Sequence, residues 1–193
     1  FASASTTNHN IQEAIDELTA QIHDQMGDAS IDVMWLFLSS FFTPSTIQIS
    51  LKLQDALQPR HAIGATAEGI IDAQHEIEDM PAMAIVAAHL PNVDVQPFVL
   101  NGGALQETLA NSTYFKRQVG VDDADVFIVL ADPFTTPIEE VIGAFNRDYA
   151  GVPLVGGMAS ASNRIGGNAL LLDGDFFNVG AVGLALSGDL EVD

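Results

Sequence analysis

Apolar and polar positions along this chain switch between two periods. From Asn10 to Gln25, Ile11, Ala14, Ile15, Leu18 and Ile22 recur at helical spacing. Asn10 with Glu13 has the form of a capping box ahead of them, and Gly27-Asp28 closes the helix. Ile31 to Leu38 is then almost continuously apolar, as a strand buried on both faces is. After a turn around Pro44, Thr46 to Leu57 is predicted as a second helix with Ile47, Leu51 and Leu57 inward, stopped by Pro59. His61 to Ile71 returns as a strand broken at Gly64 and Gly69. Glu76 to Leu90 holds one or two strands, with Pro81 confining the start to an edge or turn, and Val93 to Leu100 is another.

The second half of the chain follows the same rhythm. Ala104 to Lys116 is predicted helical, and Val119 to Asp125 is a short acidic linker. Asp125 to Ala131 is a buried strand, Ile138 to Tyr149 a helix with Val141, Ile142 and Phe145 inward, and Val152 to Ala159 a strand running into Gly156-Gly157. After a Gly, Ser and Asn loop from Ser160 to Asn168, Ala169 to Leu172 and Val179 to Leu186 are expected to pair as a hairpin through Asp173-Gly174. Met34 to Ile63 and Phe127 to Val155 span nearly equal distances in the sequence. The order and spacing point to an α/β fold made of two related βαβ-plus-hairpin halves, forming mixed sheets flanked by helices. The same rhythm also arises by chance in α/β proteins. The linker places the boundary between halves at 118/119, giving 1–118 and 119–193.

Composition narrows the function classes. At 193 residues and 48 % hydrophobic, the chain is long enough for one domain or two closely packed halves. The absence of cysteine removes disulfides, zinc thiolates and cysteine catalysis. Apolar runs are strand-sized, so no membrane span is expected, and the polar opening, which lacks an initial Met, does not read as a signal peptide. A cytoplasmic location is the resulting expectation. The net charge of −20 argues against nucleic-acid and anionic-membrane partners. It fits either a salty cytoplasm or ordinary acidic solubility.

Two small-residue strand ends are the candidate ligand sites: Gly64 to Gly69, with Thr66 and Glu68, and Gly156 to Ser160, with Gly156, Gly157 and Ser160. Such segments let a ligand approach exposed backbone N–H groups, or let two strands pack closely. The phosphate-loop pattern with its Lys is absent. Asp132 ends a strand, where it is placed either to meet a ligand amine or to cap the turn before Pro133. The histidines, His9, His23, His61, His75 and His89, show no helical metal-ligand spacing, and no metal site is expected. Glu68 with Asp72 or Glu76 is a candidate carboxylate pair, a solvated pair being the alternative. Gly-x-Ser-x-Gly is missing, so no nucleophile elbow is present.

The Gly segments also carry a family resemblance. His61 to Ile71 followed by Glu76-Ile77-Glu78 resembles a stretch of FIST N-terminal domains. Val126 to Phe134, Pro153 to Ser160 and Gly180 to Gly188 are similar to that domain's second half, and Phe1 to Ser5 to its short first strand. Ala65 departs from the pattern, since relatives often carry Cys there. The resemblance implies a non-enzymatic sensory domain of intracellular signal transduction that binds small ligands such as amino acids. It implies a FIST C partner domain of the same protein, absent from this chain, and a signalling protein partner. Other members imply two alternatives: an interaction scaffold of the F-box type, or a haem-based nitric oxide sensor. With the first reading no cofactor is expected. The ligand is expected to meet Thr66, Glu68, Asp132, Gly156, Gly157 and Ser160.

Overall fold

A computed structural model describes residues 1–71 and 76–192 of the chain. In chain order the elements are β1 (Ala2–Thr6), α1 (Ile11–Met26), β2 (Val33–Ser39), a 3-10 turn (Ser40–Ser45), α2 (Thr46–Leu57), β3 (His61–Ala67), β4 (Ile70–Ile71), β5 (Glu76–Ile77) and β6 (Met83–Ala88). There follow β7 (Val93–Leu100), α3 (Leu105–Ala110), α4 (Ser112–Val119), β8 (Val126–Ala131), α5 (Ile138–Asp148), β9 (Leu154–Met158), β10 (Leu170–Leu172), β11 (Asp175–Phe177) and β12 (Ala181–Gly188). The fold is mixed α/β, as expected. Two compact units form: Phe1–Leu90 with Ala159–Asn178, and Pro91–Met158 with Val179–Asp193.

The first unit is built on a sheet of order β1-β6-β2-β3-β10-β11, in which only β2 and β3 are parallel. Leu18 and Ile22 of α1, Ile49 and Leu53 of α2, and Met34, Leu36 and Leu38 of β2 share one buried cluster. Asn10 caps α1 by accepting from the Gln12 and Glu13 amides, while its own N–H donates to Asn8 rather than to Glu13, so half of the capping box is replaced. α2 has the predicted bounds but another inward face. Ile49, Leu53 and Leu57 are buried with Thr46 and Ser50, whereas Leu51 is 50 % exposed. The 49/53/57 stripe is apolar through three turns and the 47/51 stripe through only two, so burying the former removes more apolar surface from water.

The second unit has a sheet of order β7-β12-β8-β9, in which β8 and β9 are parallel. Its core is aromatic. The Phe127 and Phe145 rings are tilted against each other with centroids 4.7 Å apart, and Phe98, Phe115 and Tyr149 pack around them. The helix expected from Ala104 to Lys116 is two helices, because the Asn111 side chain accepts from the Thr113 and Tyr114 amides and starts α4 afresh. Ile142 of α5, expected inward, is 42 % exposed, and Ala144 is buried beside Val141 and Phe145.

Burial holds the Tyr149 phenol in its neutral form, with the Asp148 and Asp122 charges adding to the effect, and pushes its pKa up to about 12. The folded state therefore binds this proton more tightly than the unfolded chain. The associated stability is complete below the ordinary tyrosine pKa of about 10 and is lost as pH rises towards 12. Denaturant midpoints measured from pH 8 to 12 should fall across that window. Tyr149→Phe should flatten the fall, at a cost of about 1 kcal/mol for the lost donation to the Val121 carbonyl.

The hairpin differs from expectation. β10 turns through Asp173-Gly174, at φ 47° and 89°, into β11, while β12 pairs with β7 and β8. Left-handed residues at both turn positions suit the twist of a two-residue hairpin, and so pair the strands nearest in sequence.

The two halves repeat one topology. The order β1-β6-β2-β3, with its strand directions, is the order β7-β12-β8-β9. Leu36 faces Gly64 as Val129 faces Gly156. The Ser39 amide donates to the Ala82 carbonyl at 2.9 Å as the Asp132 amide donates to that of Gly180 at 2.8 Å. Phe41-Phe42-Thr43-Pro44 then follows one strand and Phe134-Thr135-Thr136-Pro137 the other. The repeats thus meet near Pro91-Asn92 rather than at the acidic linker, because β7, α3 and α4 correspond to β1 and α1. The chain between β9 and β12 supplies β10 and β11 to the sheet of the first unit.

Candidate functional site

Thr66, Glu68 and Ser160 come together in the first unit. Thr66, next to last in β3, is fully buried, and its hydroxyl accepts from the Ala169 amide at 2.9 Å. Its carbonyl accepts from the Ser160 amide at 3.1 Å, and the Ser160 hydroxyl accepts from the Glu68 amide at 3.0 Å. These bonds tie the segment after β9 to the end of β3. The Glu68 and Ser160 side chains are exposed. Asp72 and His75 lie outside the described residues. His61 Nδ1 donates to the Asp173 carboxylate at 2.9 Å, and Asp173 also accepts from the Ala62 amide.

Asp132, Gly156 and Gly157 belong to the second unit. The Asp132 carboxylate is fully buried and accepts from the Phe134 amide at 3.1 Å and the Thr135 hydroxyl at 2.7 Å. It holds the turn after β8, the capping role weighed from the sequence. Gly156 serves strand closure: a Cβ there would lie 1.8 Å from the Val129 carbonyl oxygen. Gly157 has open space where its side chain would be.

The turn that Asp132 organises does border a cleft. It measures about 410 Å³ and is lined by Gly102, Gly103, Leu105, Gln106, Phe134, Thr135, Thr136 and Pro137. Thr135 accepts from the Gly180 amide and Thr136 donates to the Gly180 carbonyl, so both hydroxyls are fixed. The groups left facing the cleft are therefore the Gly102-Gly103 backbone, the Gln106 amide, the half-exposed Phe134 ring and Pro137 ahead of α5. No side-chain bond caps the first turn of that helix. Sequence reasoning missed these residues. The available signal was the repeated Phe-x-Thr-Pro motif, which marks the same turn in both halves. A second, apolar groove of about 370 Å³ runs between β9 and α5.

The fold and these openings define a class: a twice-repeated α/β domain with strand-end clefts and, among the described residues, no cluster of metal-ligating side chains. The model of the FIST N domain matches residues 32–193, and the chain belongs to that family. It is 28 % identical to the uncharacterized protein Rv0628c of Mycobacterium tuberculosis over 95 % of this chain and 46 % of the relative. It is also 28 % identical to the uncharacterized protein Mb0898c of Mycobacterium bovis, over 94 % of this chain and 46 % of the relative. The chain thus spans about half the length of these curated relatives. The family is generally a sensory domain of signal transduction. Among the described residues, no helix is long and apolar enough to cross a membrane.

Proposed function

We propose that this domain is a non-enzymatic sensory module that binds a small polar metabolite, such as an amino acid, in the cleft at the end of β8. The position of the cleft supports this reading: it lies at the carboxyl end of a sheet strand, where the backbone of a Gly-Gly loop and the Gln106 side-chain amide offer donors to one opening. A ligand carboxylate or carbonyl meets those donors, and the Phe134 ring covers its apolar part. Glu139 and Glu140 in the first turn of α5 favour a ligand that also carries an ammonium group. Binding shifts the population of arrangements between this domain and the rest of a longer signalling protein, in a cytoplasmic setting and without a cofactor.

Thermal-shift measurements with the twenty amino acids at millimolar concentration test the proposal. At least one is expected to stabilise the protein, by about 2.7 kcal/mol at a hundred times its Kd. Phe134→Ala should remove the shift. A flat response to all twenty in the full-length polypeptide would defeat this reading.

A further inference from the structure

The internal repeat shows how one sheet edge is closed and leaves the equivalent edge open. β3 is covered by β10, antiparallel, with Leu171 opposite Gly64. Leu171 is 1 % exposed and belongs to the buried cluster that contains Ile49, Leu53 and Leu57 of α2. Opposite a residue without a side chain, it is the side chain that this rung of the ladder contributes to the cluster with that helix.

β9 is the counterpart of β3 and Gly156 the counterpart of Gly64, but β9 is the last strand of its sheet. The Pro153 carbonyl accepts from the Phe127 amide, so alternate residues of β9 turn their backbone groups to β8, and Leu154, Gly156 and Met158 turn theirs outward. The same geometry on β3 places Ala62 and Thr66 in bonds to Asp173 and Ala169. Beside Gly156, where the first unit has Leu171 opposite the equivalent glycine, lies the groove lined by Val129, Ile138, Val141, Ile142 and Asn146. Its rim is apolar and solvent-facing: Val155 is 50 % exposed, Ile142 42 % and Met158 41 %. A sheet edge with outward-facing backbone groups and an apolar socket is a template for strand addition.

We infer that β9 is completed by an extended apolar strand that runs antiparallel to it and sets a branched aliphatic side chain opposite Gly156. The strand comes from the part of the polypeptide outside residues 1–193. Two observations select this source. Within the chain, β3 is closed by a strand supplied from further along the same polypeptide, between β9 and β12. The curated relatives are also about twice as long as this chain, which covers 46 % of them. A second copy of the chain is disfavoured by the net charge of −20 that each copy carries.

Amide hydrogen exchange on residues 1–193 and on the full-length polypeptide tests the inference. The amides of Leu154, Gly156 and Met158 should exchange at least about 100-fold more slowly in the longer protein. Ile142→Lys, at an exposed position, should abolish that protection while leaving β8 and β12 protected. Equal exchange in the two proteins would overturn the inference. So would a dimer of residues 1–193 that protects β9 and dissociates in Ile142→Lys, which would make a second copy the occupant. Neither outcome bears on the cleft near Phe134, whose ligand response is measured separately.

Discussion

Gly64→Val destabilises the first unit by about 3 kcal/mol or more, at the upper end of single-substitution effects. The cause is a backbone contact. A Cβ at Gly64 would lie 2.2 Å from the Leu36 carbonyl oxygen, and β3 is held between β2 and β10, so it has no free side towards which to move. Even Gly64→Ala carries the clash. Gly156→Val meets a closer contact, 1.8 Å from the Val129 oxygen, and loses a φ of +151° that residues with side chains rarely adopt. Its expected cost is nonetheless smaller in residues 1–193, because β9 is an edge strand and relaxes outward. Gly157→Ala is the control, with open space around the added carbon and an effect within about 0.5 kcal/mol. Urea unfolding measures all four, and Trp35 on β2 reports the first unit. A Gly64→Ala cost below about 1 kcal/mol would mean that the close approach of β2 and β3 does not require glycine.

The contrast between Gly64 and Gly157 shows what the sequence makes legible. Duplication was visible in the matched spacing of Met34 to Ile63 and Phe127 to Val155, because buried parallel strands must be apolar throughout and stand out from their surroundings. The bounds of α2 and the cap of α1 were readable for a similar local reason, since Pro59 and Asn10 act on their immediate neighbours. Which face of α2 turns inward is set by the longer apolar stripe of Ile49, Leu53 and Leu57, a difference of one turn that Leu51, as apolar as Leu53, obscures in the sequence. The pairing of β12 was also hidden. An apolar strand after a tight turn looks like the second arm of a hairpin, and that arm is β11. At the candidate site, small residues at strand ends stand out in the sequence, but they mark close backbone approach as readily as ligand access. Gly156 shows the first use. The cleft near Phe134 is built from an aromatic ring, a turn and backbone groups, none of which has a distinctive composition. Only the recurrence of Phe-x-Thr-Pro singles out the turn.

Leu171→Ala is expected to cost about 3 kcal/mol, and it tests the rule by which a strand closes β3. The side chain is 1 % exposed in a cluster with α2, and its partner across the ladder is a glycine, so no neighbouring side chain on β3 can swing in to fill the cavity. Truncation leaves the cavity largely intact, which places the cost well above simple transfer of the lost carbons. The loss also loosens β10, a strand of only three residues. The Thr66 amide, which donates to Ala169, should therefore exchange faster, while the amides of β6 between β1 and β2 are little changed. Phe176→Ala on β11, where the ring is 44 % exposed, should cost no more than about 0.5 kcal/mol and separates anchoring from mere presence in the hairpin. If Leu171→Ala proves as mild as Phe176→Ala, the residue opposite the glycine does not hold the edge strand in place. The groove beside Gly156 then loses its reason to expect an aliphatic anchor. If the cost is large, the same physics applies to β9, whose edge differs from that of β3 chiefly in lacking its tenant.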